Sequence, residues 1–202
     1  FKDDILALQQ YFSAENAQAK VRAFPGEGMD LPIYILGSST DSAYLAAQMG
    51  LPYAFAAHFA PAMLGQAIAI YEANFHASAQ LQEPYVIACV NVIAAPETAE
   101  AAILANSLFN MFAGIVTNRR FPLSPPTTAP VYAGIPEIEA AVNNMVSCTF
   151  IGDPEKLENE LRDFIQAYGI DELMTTNYIF DEEKRLVSFS LLNQVIQQIN
   201  EN

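Results

Sequence analysis

Four short strand-like runs, each set off by proline, glycine or acid and each followed by helical spacing, limit this chain to one kind of architecture. They lie at residues 33–36, 53–59, 85–93 and 173–180. The first three are apolar almost throughout. A strand wetted on one face alternates apolar and polar side chains. An unbroken apolar run therefore belongs to a strand covered on both faces, as in a parallel sheet between helices. Around the runs, apolar residues recur at three and four. Ile5, Leu6, Leu8, Tyr11 and Phe12 precede the first run, and Met63, Leu64, Ala67, Ile68 and Tyr71 follow the second. This spacing predicts helices over 3–12, 38–50 and 61–75, with others over 96–116, 138–145, 153–169 and 188–199. Asp153-Pro154-Glu155 is a strong helix start: a cap, a proline at the first helical position, then an acid. Residues 119–136 hold five prolines and read as a long loop, and 148–151 as a short extended piece ending at Gly152. Alternation of strand and helix implies right-handed βαβ units. The predicted class is α/β, with one domain over residues 1–202. Four parallel strands suit a small open sheet or half of an eight-stranded barrel, and composition does not choose between them.

The chain of 202 residues is 52% hydrophobic and 16% charged, which argues against disorder. Its net charge of -14 repels phosphate backbones and anionic lipid, so neither nucleic acid nor membrane is an expected partner. No apolar run by itself reaches the roughly 18 residues of a spanning helix. Cys89 and Cys148 lie in apolar strand-like runs without metal-type spacing. Buried, reduced thiols are expected, which fits a cytoplasmic setting. The start, Phe1-Lys2-Asp3-Asp4, has no secretory pattern. A beginning at Phe rather than Met suggests that residues have been removed ahead of it or that the sequence starts inside a longer gene.

Leu36-Gly37-Ser38-Ser39-Thr40-Asp41-Ser42 falls where a predicted strand ends and a helix begins. Free backbone N–H groups and the positive end of the helix dipole meet there, and hydroxyls are at hand, so a phosphate is one reading. Serine and threonine that simply cap the helix are the other. Neither a Walker loop nor a dinucleotide fingerprint occurs. His58 is predicted at the C-terminal end of the second strand, where α/β barrels place their active sites. A general acid or base, a donor to a ligand, or a histidine satisfied by local backbone are all open there. His76 follows a helix and reads as solvated surface. Two distant histidines and two isolated cysteines predict no metal site. Asn177 either faces a ligand or braces the turn around Asp181, and Arg185 is given no role beyond bracing that turn.

Residues 33–52, IYILGSSTDSAYLAAQMGLP, resemble the fifth strand and following helix of the bacterial-luciferase-like, flavin-dependent monooxygenases. Residues 53–61 resemble that family's sixth strand, 151–157 its "GxPexv" helix start, and 171–174 and 185–188 its eighth strand and closing segment. The resemblance implies the C-terminal part of a (β/α)8 barrel, about strands five to eight with their helices. It implies reduced FMN, or a deazaflavin in some branches, and O2 acting on a small organic substrate, with a flavin reductase as supplier. Gly37, Ser38, Ser39 and Ser42 fall where the family contacts the flavin phosphate. The acid that true luciferase carries at the Ser38 position is absent. His58 falls on the strand lining the flavin ring and is the candidate catalytic residue. The first four strands would be missing, and with them a basic phosphate contact. The piece is therefore expected to self-associate, as a homo-oligomer, or to be a fragment of a longer chain, and to bind FMN weakly or not at all. A truncated, non-enzymatic flavin-binding or interaction protein is the alternative. A phosphate-ester enzyme on an ordinary α/β sheet is a weaker third.

Overall fold

A computed structural model describes residues 1–201. Its helices are α1 (Lys2–Phe12), α2 (Thr40–Met49), α3 (Leu64–Ala73), α4 (Thr98–Leu104), α5 (Asn106–Val116), α6 (Pro136–Met145), α7 (Pro154–Tyr168) and α8 (Glu182–Glu201). The strands are β1 (Ile35–Gly37), β2 (Tyr53–Phe55), β3 (Val86–Ala94), β4 (Thr149–Gly152) and β5 (Glu172–Thr176). Every strand pairing is parallel. The class is α/β with a parallel sheet, as the alternation predicts.

The structure has five strands where four are predicted, because the extended piece at 148–151 joins the sheet as β4 beside the end of β3. Hydrogen bonding shows how. Tyr53 N donates to Tyr85 O at 3.0 Å and Asn91 N donates to Cys148 O at 3.1 Å, whereas Asp171 N donates to Val86 O at 3.0 Å. Odd-numbered residues of β3 thus bond β2 and then β4 along one edge, and even-numbered residues bond β5 along the other. β3 is long enough to serve two neighbours in succession, and all nine of its residues are buried.

β2 is shorter than its apolar run. Ala57 N turns back to Phe55 O at 3.0 Å and Ala60 N to Ala56 O at 3.2 Å, so the chain leaves the ladder after Phe55 while staying buried. Periodicity reports burial rather than backbone shape, and it overruns the strand here. The predicted helix at 61–75 likewise opens with a short 3-10 turn over Pro61–Met63. The long helix predicted to start at 96 breaks at Ala105 into α4 and α5. By length and composition Thr98–Val116 could cross a membrane, contrary to the sequence expectation, but 56% of it is buried inside the protein. Asn106 and Asn110 within it bond the Thr127 region, as a core helix would. α8 begins at Glu182, six residues ahead of its prediction, because Asp181 caps it by accepting from Lys184 N at 2.9 Å.

Side chains alternate across the sheet. Ile35, Tyr53, Phe55, Val86, Ala88, Val90 and Val92 join the main core with α2, α3, α7 and α8. Each fully buried large side chain contributes about 1.5–3 kcal/mol. Tyr71 also satisfies backbone there, donating to Leu51 O at 2.9 Å and accepting from Tyr85 N at 3.1 Å. Leu36, Ala54, Ile87, Cys89, Asn91 and Met174 face the opposite side. At the two outer strands that side is open, with Leu36 67% and Met174 52% exposed.

Candidate functional site

Parallel pairing puts the C-terminal ends of all five strands on one rim. Two loops of that rim are stitched together, since Ala56 N beyond β2 donates to Gly37 O at the end of β1 at 2.9 Å. The serine loop and the His58 turn therefore leave the sheet from adjacent points of that rim.

The serine loop does what a helix start needs. Ser39 is the N-cap of α2, its hydroxyl accepting from Ser42 N at 3.5 Å. Ser42 Oγ turns inward, 2.7 Å from Ser39 O and 3.1 Å from the Tyr53 hydroxyl, and that hydroxyl donates to Ser39 O at 3.0 Å. Burial raises the Tyr53 pKa, with the Ser42 contact opposing, so the ring stays a neutral phenol. Glycine at 37 is dictated by Ser42: a Cβ there would stand 2.0 Å from Ser42 Oγ. Ser39 remains exposed and Ser38 half-buried, which leaves their hydroxyls within reach of solvent. Asp41, exposed in the first turn, weakens the attraction for a second anion.

His58 lies in the turn beyond β2 rather than on the strand itself. It is half-buried, and its Nδ1 is buried with no hydrogen-bond partner among the described residues. Burial pushes its pKa below the ordinary histidine value, with the Cys89 backbone opposing. The imidazole is thus held neutral near pH 7, with one nitrogen wanting a partner. Phe59 stands edge-on to it at 5.2 Å between centroids.

Sequence reasoning missed Asn91. This fully buried residue donates from Nδ2 to His58 O at 2.6 Å and to Thr149 Oγ1 at 3.1 Å, and accepts from Thr176 Oγ1 at 2.7 Å. One side chain joins the His58 turn to β3, β4 and β5. The signal was available, since Asn91 is the lone polar residue in the run from Val86 to Ala94. Asn177 and Arg185 brace the chain. Asn177 Nδ2 donates to Ser188 Oγ at 2.7 Å, and Arg185 reaches Ile179 O at 3.5 Å. His76 is exposed, as expected. Cys89 and Cys148 are free thiols, with Cys148 pushed up to about 11 by burial, and neither is a nucleophile in that state. A cavity of about 580 Å³ lies along β5 between α7 and α8. It runs beside the outer edge of β5, and Arg162, Asp171 and Glu172 share its lining with apolar residues of α7 and α8.

The sequence model of the luciferase-like monooxygenases matches residues 9–172. The chain belongs to that family. A luciferase-like monooxygenase of Escherichia coli K12 is 37% identical over 199 residues, and the uncharacterized protein YddN of Bacillus subtilis 39% over 200. Each alignment covers 98% of this chain and 59% of the relative, so the chain spans under two thirds of their length. The crystal structure of apo-MsnO8 superimposes with a TM-score of 0.79 at 22% identity, over 97% of this chain and 59% of that one. The oxygenating constituent of 3,6-diketocamphane monooxygenase, in complex with FMN, does so at 0.60 and 14%, over 89% and 51%. At these identities the structural likeness concerns the fold.

Proposed function

We propose that this chain forms the C-terminal staves of the barrel of a flavin-dependent monooxygenase, with β1, β2, β3 and β5 as consecutive barrel strands and β4 as an addition beside β3. The observation that carries the reading is the single rim on which the serine loop and the His58 turn meet, joined by the bond from Ala56 N to Gly37 O.

The residues fit a flavin in part. The accessible hydroxyls of Ser38 and Ser39 would hold the phosphate, Gly37 and Ser42 would shape the loop behind them, and the exposed side of the His58 ring would meet the flavin or the substrate. The serine loop carries no cation of its own to balance the phosphate, and Asp41 opposes it. Reduced FMN supplies the activation of O2, a deazaflavin being the alternative cofactor. This chain orients the reactants, keeps the Asn91 side of the site dry, and places a neutral, half-buried imidazole at the rim beside a small organic substrate. Further strands would cover Leu36 and Met174, the exposed apolar residues of the open edges. Without them the chain associates with itself and binds FMN weakly.

Flavin absorbance and gel filtration test this reading. The 202-residue chain should elute above monomer size and retain little FMN. A version extended to the length of its relatives should bind flavin and take up O2 when a flavin reductase and NADH are supplied. Ser39→Ala should weaken FMN roughly tenfold in that version, the cost of one hydrogen bond to a charged group. Flavin bound without O2 uptake would favour the non-enzymatic alternative. A monomeric 202-residue chain with stoichiometric flavin would overturn the proposal.

A further inference from the structure

The sheet path β1-β2-β3-β5 ends in two bare edges. Among the described residues no strand lies beyond β1 or beyond β5. Ile35 N donates to Pro52 O at 3.0 Å and Ala56 N to Gly37 O at 2.9 Å, so the odd-numbered residues of β1 face β2. Asp171 N donates to Val86 O at 3.0 Å, so the odd-numbered residues of β5 face β3. By alternation Leu36 on β1, and Glu172, Met174 and Thr176 on β5, turn their backbone groups outward. Such a row is a template for another strand. Apolar side chains mark both edges, with Tyr34 and Leu36 exposed at one and Met174 at the other. The helical layer is also incomplete beside β5, where a groove between α7 and α8 is lined by Ile165, Leu192, Ile196 and Ile199.

The exposed area is large enough for a stable interface. The chain exposes 11222 Å². A compact monomer of 22.1 kDa exposes about 9,300 Å². The excess is roughly 1,900 Å² per chain. Two chains that bury it against each other remove roughly 3,800 Å² from water, within the range of about 2,000–5,000 Å² seen for obligate homodimers. The net charge of -14 repels a second copy at long range, but salt screens that repulsion beyond about 8 Å at physiological ionic strength. At the edges themselves β1 carries no acid and β5 carries Glu172 alone.

We propose that a second copy of this chain covers both edges, the outer edge of β5 in each copy pairing in parallel with the outer edge of β1 in the other. The inference rests on the reading of β1, β2, β3 and β5 as consecutive staves. The two edges are unlike, and each copy offers the edge that the other lacks. A single foreign strand would cover one edge and leave the second bare. Joining like edges about a two-fold axis across the strands would leave one edge of each copy open. A two-fold axis along the strands keeps every pairing parallel, satisfies all four edges and closes at eight strands, the number of a (β/α)8 barrel. The end of β5 in one copy then stands beside the serine loop of the other, so each copy completes the rim that carries Ser38 and Ser39.

Sedimentation and cross-linking of the 202-residue chain in flavin-free buffer at physiological salt test it. The chain should form a dimer that does not grow into larger species as concentration rises. Met174→Pro removes an outward N–H while leaving the pairing with β3 in place. Leu36→Lys sets a charge on the inner face of the other edge. Each should raise the dimer Kd at least about tenfold, through a lost hydrogen bond or a buried charge repeated at two interfaces. Circular dichroism should show the fold of both variants retained. Leu36→Cys and Met174→Cys chains, unfolded together and refolded, should be joined in pairs by a short bis-maleimide to a greater extent than either chain treated alone. A monomer, a polymer that lengthens with concentration, a dimer indifferent to both edge variants, or a mixture that cross-links no better than its parts would each overturn the proposal. Failure of FMN binding in the extended chain would leave these measurements standing, and failure here would leave that flavin titration standing.

Discussion

Asn91 Nδ2 donates to the carbonyl oxygen of His58 at 2.6 Å, joining the middle of the sheet's longest strand to the turn that carries the candidate catalytic residue. The bond forms where β2 has left the ladder and β4 takes over its edge of β3. A backbone carbonyl would otherwise be buried there without a partner. Thr149 and Thr176 complete the environment of Asn91, so the position of the imidazole is set by three strands besides its own.

Replacement of Asn91 by Leu should cost about 2–4 kcal/mol. Leu is close in size, but it leaves the His58 carbonyl without its donor and takes a partner from the half-buried hydroxyls of Thr149 and Thr176, the latter keeping only its long bond to Val90 O. Urea unfolding of the variant gives the loss directly. A cost below 1 kcal/mol would mean that the network is not formed.

The imidazole of His58 should make stability depend on pH. Its pKa in the folded chain lies below the ordinary value because burial disfavours the charged form. In the unfolded chain it returns to about 6.5. Below that pH the unfolded state binds the extra proton, so stability should fall as pH drops from about 6.5 toward the folded pKa and then level off. His58→Gln should flatten that part of the profile, measured by urea unfolding between pH 5 and 8. An unchanged slope would place the titration elsewhere.

Gly37 and Ser42 should be coupled. Ala at 37 drives a methyl into Ser42 Oγ, so Gly37→Ala should destabilise by about 1–3 kcal/mol. Ser42→Gly alone loses the contacts to Ser39 and Tyr53. Combined with Gly37→Ala it removes the clash, so the double variant should be more stable than the sum of the single losses by at least 0.5 kcal/mol. Thermal or urea unfolding of the four proteins closes the cycle. Strict additivity would contradict the geometry.

Both thiols should resist alkylation in the native chain. Cys89 and Cys148 have pKa values raised by burial, Cys148 to about 11, so little thiolate exists at pH 8. Iodoacetamide followed by mass spectrometry should show slow modification that denaturant accelerates by orders of magnitude. Fast native labelling of Cys148 would show β4 to be detached from the sheet.

Local signals were enough for most of the elements and part of the site. Asp153 before Pro154 starts α7, and its carboxylate accepts from Lys156 N as a cap should. Gly50 and Gly169 close α2 and α7 in the left-handed region. The serine loop lies at a strand-to-helix junction as read from residues 36–42, and His58 lies at the rim. These features depend on residues within one helical turn of each other, so a linear string records them. The luciferase-like resemblance was legible for a similar reason, being carried by contiguous segments.

What the chain's order of residues determined by itself is the βα alternation, the parallel class and the caps, because each follows from periodicity or from a side chain bonding its own neighbourhood. Only the tertiary structure decided that 148–151 becomes a strand, that β2 stops at Phe55, and that Asn91 holds His58. Each of those outcomes depends on a partner far away in sequence: Asn91 for Thr149, β4 for the edge that β2 vacates, and the His58 carbonyl for Asn91. Buried apolar composition is the same whether a segment pairs as strand or turns as loop. The choice passes to whichever distant backbone is left needing a hydrogen bond.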